Sequence, residues 1–207
     1  MFVRTCIVGI DHWSDLTKPF ADSLQKHNPS VCMTIIDNAS TPPYPDYIQR
    51  VMRIPRMGYG AALNMGAPGN WDWLLCCNND CLCNGNVMDV IGTLRPDTIY
   101  GNEWKYDYDG MADGLPAVVD SAYLLIPHRI WDDVGQFDPF MDAAFEEIDY
   151  CIRALDKGYR LDVVELPITH LNLHTRRELE GYDMRWEATR KYFHKKHPNR
   201  EGAPNAS

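Results

Sequence analysis

Two spacings of apolar residues alternate along the first part of the chain. Mainly apolar runs rich in β-branched and sulfur side chains recur at residues 2–10, 31–36 and 71–77, lengths that suit buried strands. Between the first two runs the spacing widens, and Leu16, Phe20 and Leu24 share one helical face behind Ser14, a residue type suited to cap it. The second strand closes at Asp37-Asn38-Ala39-Ser40 and the Pro42-Pro43 breaker, which completes a β-α-β unit. After residues 51–54, Gly58-Tyr59-Gly60-Ala61-Ala62-Leu63-Asn64 reads as a glycine turn entering a small-residue helix able to pack closely on a sheet. Strands alternating with helices in this way predict an α/β fold with a mainly parallel sheet covered on both faces.

The second half is less regular. Residues 117–126 predict a strand, 146–157 a helix with Ile148, Cys151, Ile152 and Leu155 on one stripe, and 161–166 a further strand. A closing helix over 182–195 mixes Trp186, Tyr192 and Phe193 with Arg185, Arg190, Lys191 and Lys195. No repeat or low-complexity linker interrupts the pattern, so residues 1–198 are expected to form one domain and 199–207 a disordered tail.

The formal net charge of −9 argues against a general nucleic-acid binder, whose affinity comes from Lys and Arg neutralising phosphates. No apolar run reaches the ~20 residues of a membrane span, and the N-terminus enters a strand-like run without a leader pattern. The expectation is a cytoplasmic protein, with peripheral membrane contact left open. Seven cysteines form no paired C-x-x-C spacing. The group from Cys76 to Cys83 reads as packing residues in and beside a strand, with a soft metal site as the competing interpretation.

Asp11, Asp37 and Asp80 each follow a strand, and in parallel sheets ligands bind beyond the carboxyl ends of the strands. Asp80 is placed to hold Mg²⁺ or Mn²⁺ while water and phosphate oxygens fill the remaining positions, although turn capping explains an Asp there equally well. Phe145-Glu146-Glu147-Ile148-Asp149 sets three carboxylates at a helix start. The helix dipole accounts for one or two of them, and a cleft-facing start would supply a general base. His170 and His174 follow the late strand; either is an ordinary packing histidine or the nitrogen partner of Asp80 in a mixed O/N site suited to Mn²⁺.

Four ordered blocks carry a family resemblance: Ile36-Asp37-Asn38-Ala39-Ser40, residues 58–66, residues 74–80, and Gly135-Gln136-Phe137-Asp138 through Glu146-Glu147-Ile148-Asp149-Tyr150-Cys151-Ile152-Arg153. Together they resemble the family 2, GT-A type glycosyltransferases, especially the bacterial rhamnosyltransferase-like branch. The resemblance covers nearly the whole chain and implies a GT-A fold with a Rossmann-like sheet. It implies that Asp37 contacts the nucleotide base, that the strand end near Asp11 lines the same pocket, and that Asn78-Asn79-Asp80 stands for the family's Asp-x-Asp metal motif. Arg56, Gly58, Asn64, Asn78 and Asn79 are carried over with them as nucleotide-sugar residues, and His170, with His174 as alternative, as the second metal ligand. Glu146-Glu147 stands where the family has Glu-Asp, which makes Glu147 the base with one extra methylene and leaves Glu146 and Asp149 to organise the helix start and acceptor site.

The activity so implied is transfer of a sugar from a nucleoside-diphosphate donor, uridine diphosphate being the family's commonest carrier, to a hydroxyl of a glycan, lipid-linked sugar or protein, with inversion. Two competitors share the fold. A nucleotidyltransferase would carry an early glycine-rich basic phosphate loop, and Gly9-Ile10-Asp11-His12 is not one. A carbohydrate-binding protein that has lost catalysis would not need both Asp80 and Glu147.

Overall fold

The computed structural model describes residues 1–48, 50–105, 117–120, 122–173 and 181–198. In chain order its strands are β1 (Val3–Gly9), β2 (Cys32–Asn38), β3 (Val51–Ile54), β4 (Trp73–Asn78), β5 (Cys81–Cys83), β6 (Thr98–Gly101), β7 (Trp104–Lys105), β8 (Val118–Val119), β9 (Tyr123–Pro127), β10 (Arg160–Val163) and β11 (Ile168–His170). The helices are α1 (Lys18–His27), α2 (Tyr59–Gly66), α3 (Val87–Ile91), α4 (His128–Val134), α5 (Glu146–Asp156) and α6 (Tyr182–Lys196).

Seven strands form one sheet in the order β10-β6-β9-β4-β1-β2-β3. Its neighbours are parallel except at β9, which runs against both β4 and β6. The expected α/β, mainly parallel architecture is therefore present. Because successive side chains of a strand point to opposite faces, the central strands feed two cores. Cys6, Ile36, Leu74, Cys76 and Leu124 pack with residues of α2, α4 and α5, while Ile7, Ile35, Leu75, Cys77 and Leu125 pack with residues of α1 and α3. Cys76 and Cys77 thus lie in opposite layers, and burial raises both thiols well above their ordinary pKa, the behaviour of small hydrophobes.

Several local expectations need correcting. Ser14 does not cap a helix: Trp13–Thr17 form a π-helical turn whose first carbonyl, that of His12, accepts from Leu16 N and Thr17 N, both at 3.1 Å, and α1 begins after it. Residues 117–126 are not one strand. Val118–Val119 pair with β7 in a side ribbon, and the chain then crosses to the main sheet, where β9 starts at Tyr123. The expected strand over 161–166 shifts to Arg160–Val163, because its only sheet neighbour, β6, is four residues long and offers no further ladder. Residues 199–207, expected as a tail, lie outside the described residues. Among the described residues no helix is long and apolar enough to cross a membrane.

Candidate active site

β1 lies between β2 and β4, so the connections from its two neighbours leave the sheet in opposite directions at its carboxyl end. Such switch points open crevices in parallel sheets. Here the crevice is a cavity of about 230 Å³, lined by Gly9 and Ile10 at the end of β1, Asn78, Asn79 and Asp80 at the end of β4, and Glu146 and Glu147 from the first turn of α5. The structure thereby brings together the metal and base candidates from distant parts of the chain.

Asp80 is 6 % exposed. The β11–β5 ribbon pairs His170 with Cys81, next to it, and His170 Nε2 stands 3.1 Å from Asp80 Oδ1. The following turn closes over the same carboxylate, since Leu173 N donates to Oδ2 at 3.1 Å and Leu171 N to the Asp80 carbonyl at 2.8 Å. Burial opposes ionisation of Asp80, but the hydrogen bond and charge of His170 and the Leu173 amide outweigh it and hold the carboxyl below its usual range. The same hydrogen bond, accepted by Asp80, raises the His170 pKa against a smaller effect of burial. His174 lies outside the described residues.

The start of α5 is unusual in its backbone. Phe145, which precedes the helix, has φ 71° and ψ 0°, a left-handed conformation that a bulky residue adopts only at a cost of about 1–3 kcal/mol. Its ring is stacked on Phe193, centroids 5.2 Å apart, and tilted against Trp186 at 5.7 Å, both from α6. Those contacts hold the turn that aims Glu146 and Glu147, each 6 % exposed, into the cavity. Lys105 Nζ lies 3.7 Å from Glu147 Oε1 and 3.8 Å from Asp120 Oδ1, so one cation pairs with both carboxylates. Other non-glycine residues with positive φ crowd the same place: Asn172 lines the cavity, and Asp11 and Ala39 each adjoin a residue that does. Backbone strain concentrated at one crevice marks a functional site.

Not every sequence candidate reaches the cavity. Arg56 lines it, but Asp11, Asp37, Gly58, Asn64 and Asp149 do not. Asp37 is 1 % exposed, and its Oδ1 accepts from Ser40 N at 2.9 Å and its Oδ2 from Tyr44 N at 2.8 Å, which folds the loop after β2. Asp11 joins that loop, its Oδ1 accepting from Thr41 N at 2.8 Å. Asn64 exchanges two hydrogen bonds with the backbone of Phe137, 2.8 and 3.0 Å. Gly58 caps α2 so close to the next segment that a Cβ there would stand 2.7 Å from Asp142 Cα. Asp149 is fully buried and pairs with Arg153, Lys196 and His197. Sequence reasoning missed Lys105, Asp120, Asp142 and Arg185, all of which line the cavity. Arg185 was visible only as one cation of a basic helix, and nothing in residue spacing marks the other three.

No protein-family model matches the chain, and no characterised protein sequence matches it. Solved structures do match in fold. A mannosyltransferase, PcManGT, from Pyrobaculum calidifontis in complex with GDP-Man and Mn²⁺ aligns with TM-score 0.61 and 13 % identity over 78 % of this chain and 54 % of that one. GalNAc-T7 with UDP, GalNAc and Mn²⁺ aligns with TM-score 0.65 and 13 % identity over 100 % of this chain and 52 % of that one. TarS of S. aureus aligns with TM-score 0.55 and 12 % identity over 80 % and 35 %. The fold is that of the GT-A glycosyltransferases. The chain spans about half the length of the first two neighbours and about a third of the TarS chain.

Proposed function

We propose that the protein is a glycosyltransferase of the family 2, rhamnosyltransferase-like kind, which moves a sugar from a nucleoside-diphosphate donor, with uridine diphosphate as the first carrier to test, onto an acceptor hydroxyl. The observation that carries this reading is the convergence of the Asp80–His170 pair and Glu147 on one cavity at the switch point of a GT-A sheet.

Asp80 and His170 fit a divalent cation. One carboxylate oxygen and one imidazole nitrogen already face each other at hydrogen-bond distance, and this mixed donor set suits Mn²⁺ better than the all-oxygen preference of Mg²⁺. Two protein ligands leave the other positions to water and phosphate oxygens. When bound, the ion supplies positive charge to the diphosphate as it departs.

The chain's own residues account for the remainder. Glu147 accepts the proton of the acceptor hydroxyl while that oxygen bonds to the anomeric carbon and the bond to the diphosphate breaks, its electron pair leaving with the phosphate. A single displacement inverts the anomeric centre, as opposite-face attack does in inverting glycoside hydrolysis. Lys105 pairs with Glu147, Glu146 shares its helix turn, and Asp149 secures that turn from behind. Asn38, Asn78 and Asn79 face the donor from the strand ends, and Asp37 acts through the loop it folds. The test is donor hydrolysis and sugar transfer across a panel of nucleotide sugars with Mn²⁺, Mg²⁺ or chelator. Turnover of at least one donor, lost with chelator, is the expected result; no turnover and no binding of any nucleoside diphosphate would sink the reading.

A further inference from the structure

Outside the Asp80–His170 pair and the Glu147 turn, the cavity carries a second charged group. Arg56 follows β3, Arg185 lies in the first turn of α6, and Asp142 precedes α5. All three line the same cavity, yet they come from three separate parts of the chain. Arg185 Nη1 is 3.8 Å from Asp142 Oδ2, too long for a hydrogen bond, and its side chain remains 26 % exposed. Among the described residues neither guanidinium makes a hydrogen bond, so both keep their forks of N–H donors. Partial burial, and after it the charge of Arg185, lowers the Arg56 pKa, and Asp142 and Asp11 only partly offset this. The two cations are thus close enough to feel one another's charge, and Asp142 opposes both.

We propose that Arg56 and Arg185 form a two-arginine clamp for the diphosphate of the donor, with Asp142 as the counter-ion that the diphosphate displaces. This assignment rests on the donor reading above and names how the phosphates are held apart from any metal. The chemistry favours a diphosphate over a single carboxylate: two planar forks match several phosphate oxygens at once, whereas one carboxylate fills one fork. The neighbouring start of α2 adds to the preference, since Met57 and Tyr59 line the cavity on either side of Gly58, whose helix has no side-chain cap.

The experiment is calorimetric titration of the whole chain with uridine diphosphate, guanosine diphosphate, the free nucleosides and inorganic pyrophosphate, each with Mn²⁺ and with chelator. Arg56→Gln and Arg185→Gln should each weaken nucleoside-diphosphate binding about 10-fold or more in chelator, the usual scale of a charge-assisted hydrogen bond. Nucleoside binding should not change, and Arg185→Lys should recover only part of the loss. Asp142→Asn is the control for folding, because it should tighten diphosphate binding, a gain that no unfolding can imitate. The clamp is overturned if the wild-type chain binds a nucleoside diphosphate and both Gln variants bind it equally well, or if nucleoside and diphosphate affinities fall together. It is overturned as well if Asp142→Asn weakens binding. If the wild-type chain binds no nucleoside diphosphate under either condition, the donor reading fails and takes the clamp with it.

Discussion

Asp149 offers the sharpest separation between a side chain that works in the cavity and one that holds the cavity in place. It is fully buried. Its Oδ1 accepts from Lys196 Nζ at 2.7 Å and His197 Nε2 at 2.8 Å, and its Oδ2 accepts from Arg153 Nε at 2.8 Å. Burial alone would raise its pKa, but the hydrogen bonds from His197 and Lys196 and the charge of Arg153 prevail and hold it at about 2, against an ordinary 3.8. That depression is worth roughly 2–3 kcal/mol at neutral pH. Removing one member of a buried ion pair costs about 3–5 kcal/mol when its partners are stranded. Here Lys196 keeps Asp138 at 2.5 Å, and Arg153 keeps the carbonyls of Val134 and Gln136 at 2.9 Å, so the cost should sit at the lower end.

Asp149→Asn is therefore expected to destabilise the fold by about 2–4 kcal/mol, or to lower Tm by roughly 5–15 °C for a chain of this size. The assay is urea unfolding with a shared m-value, repeated from neutral pH downward. A carboxylate with a depressed folded pKa contributes stability above its unfolded value and loses it as pH falls through the folded one. The gap between wild type and variant should thus be full above pH ~4 and close toward pH ~2. Nucleotide affinity, measured well below the variant's Tm, should match wild type. A variant that unfolds with wild type at pH 7 but has lost transfer would refute this and return Asp149 to the acceptor site.

Glu147→Gln should lower kcat about 10²-fold or more while donor binding survives, and a fully active Gln variant would remove Glu147 as the base. Asp80→Ala should abolish Mn²⁺ binding seen by calorimetry. For His170, the raised pKa means that a proton competes with the metal, so Mn²⁺ affinity should climb with pH from 6 to 8; a flat profile excludes His170 as a ligand. Gly58→Ala should cost about 1–3 kcal/mol in thermal stability, because its Cβ would meet backbone of Met141 and Asp142 at 2.7–2.9 Å rather than a yielding side chain. An unchanged Tm would mean that the α2 start can shift away from Asp142.

The sheet was legible because a strand buried on both faces is mostly apolar, and residues 2–10, 31–36 and 71–77 are, with Arg4, Thr5, Thr34 and Asp72 as the polar exceptions. The ribbons were not. β7 and β8 are two residues each, too short to carry a period, and Lys105 enters the site only because Val118–Val119 leave the main sheet to pair there. The acidic strand ends were legible as residue types but not as positions or directions: Asp37 lies inside the end of β2 and turns into the loop that follows it, whereas Asp80, beyond β4, faces His170. Glu147 and Asp149 look alike in a string of carboxylates. Two residues are about 200° apart around a helix, so the first faces the cavity and the second the buried side of α6.

That division explains why the closing helix belongs to the site although its sequence shows only a basic, aromatic mixture. Phe193 and Trp186 hold Phe145 in its left-handed turn, Lys196 and the adjoining His197 neutralise Asp149 one turn later, and Arg185 from the first turn of the same helix reaches the cavity. Strain at Phe145, of order 1–3 kcal/mol, is thus opposed by a buried ion network of comparable size. Neither has a purpose if α5 and α6 only complete a core, since a helix capped in the ordinary way would pack as well without the strained residue. Together they fix the direction in which Glu147 enters the cavity that Asp80 lines from the opposite part of the chain.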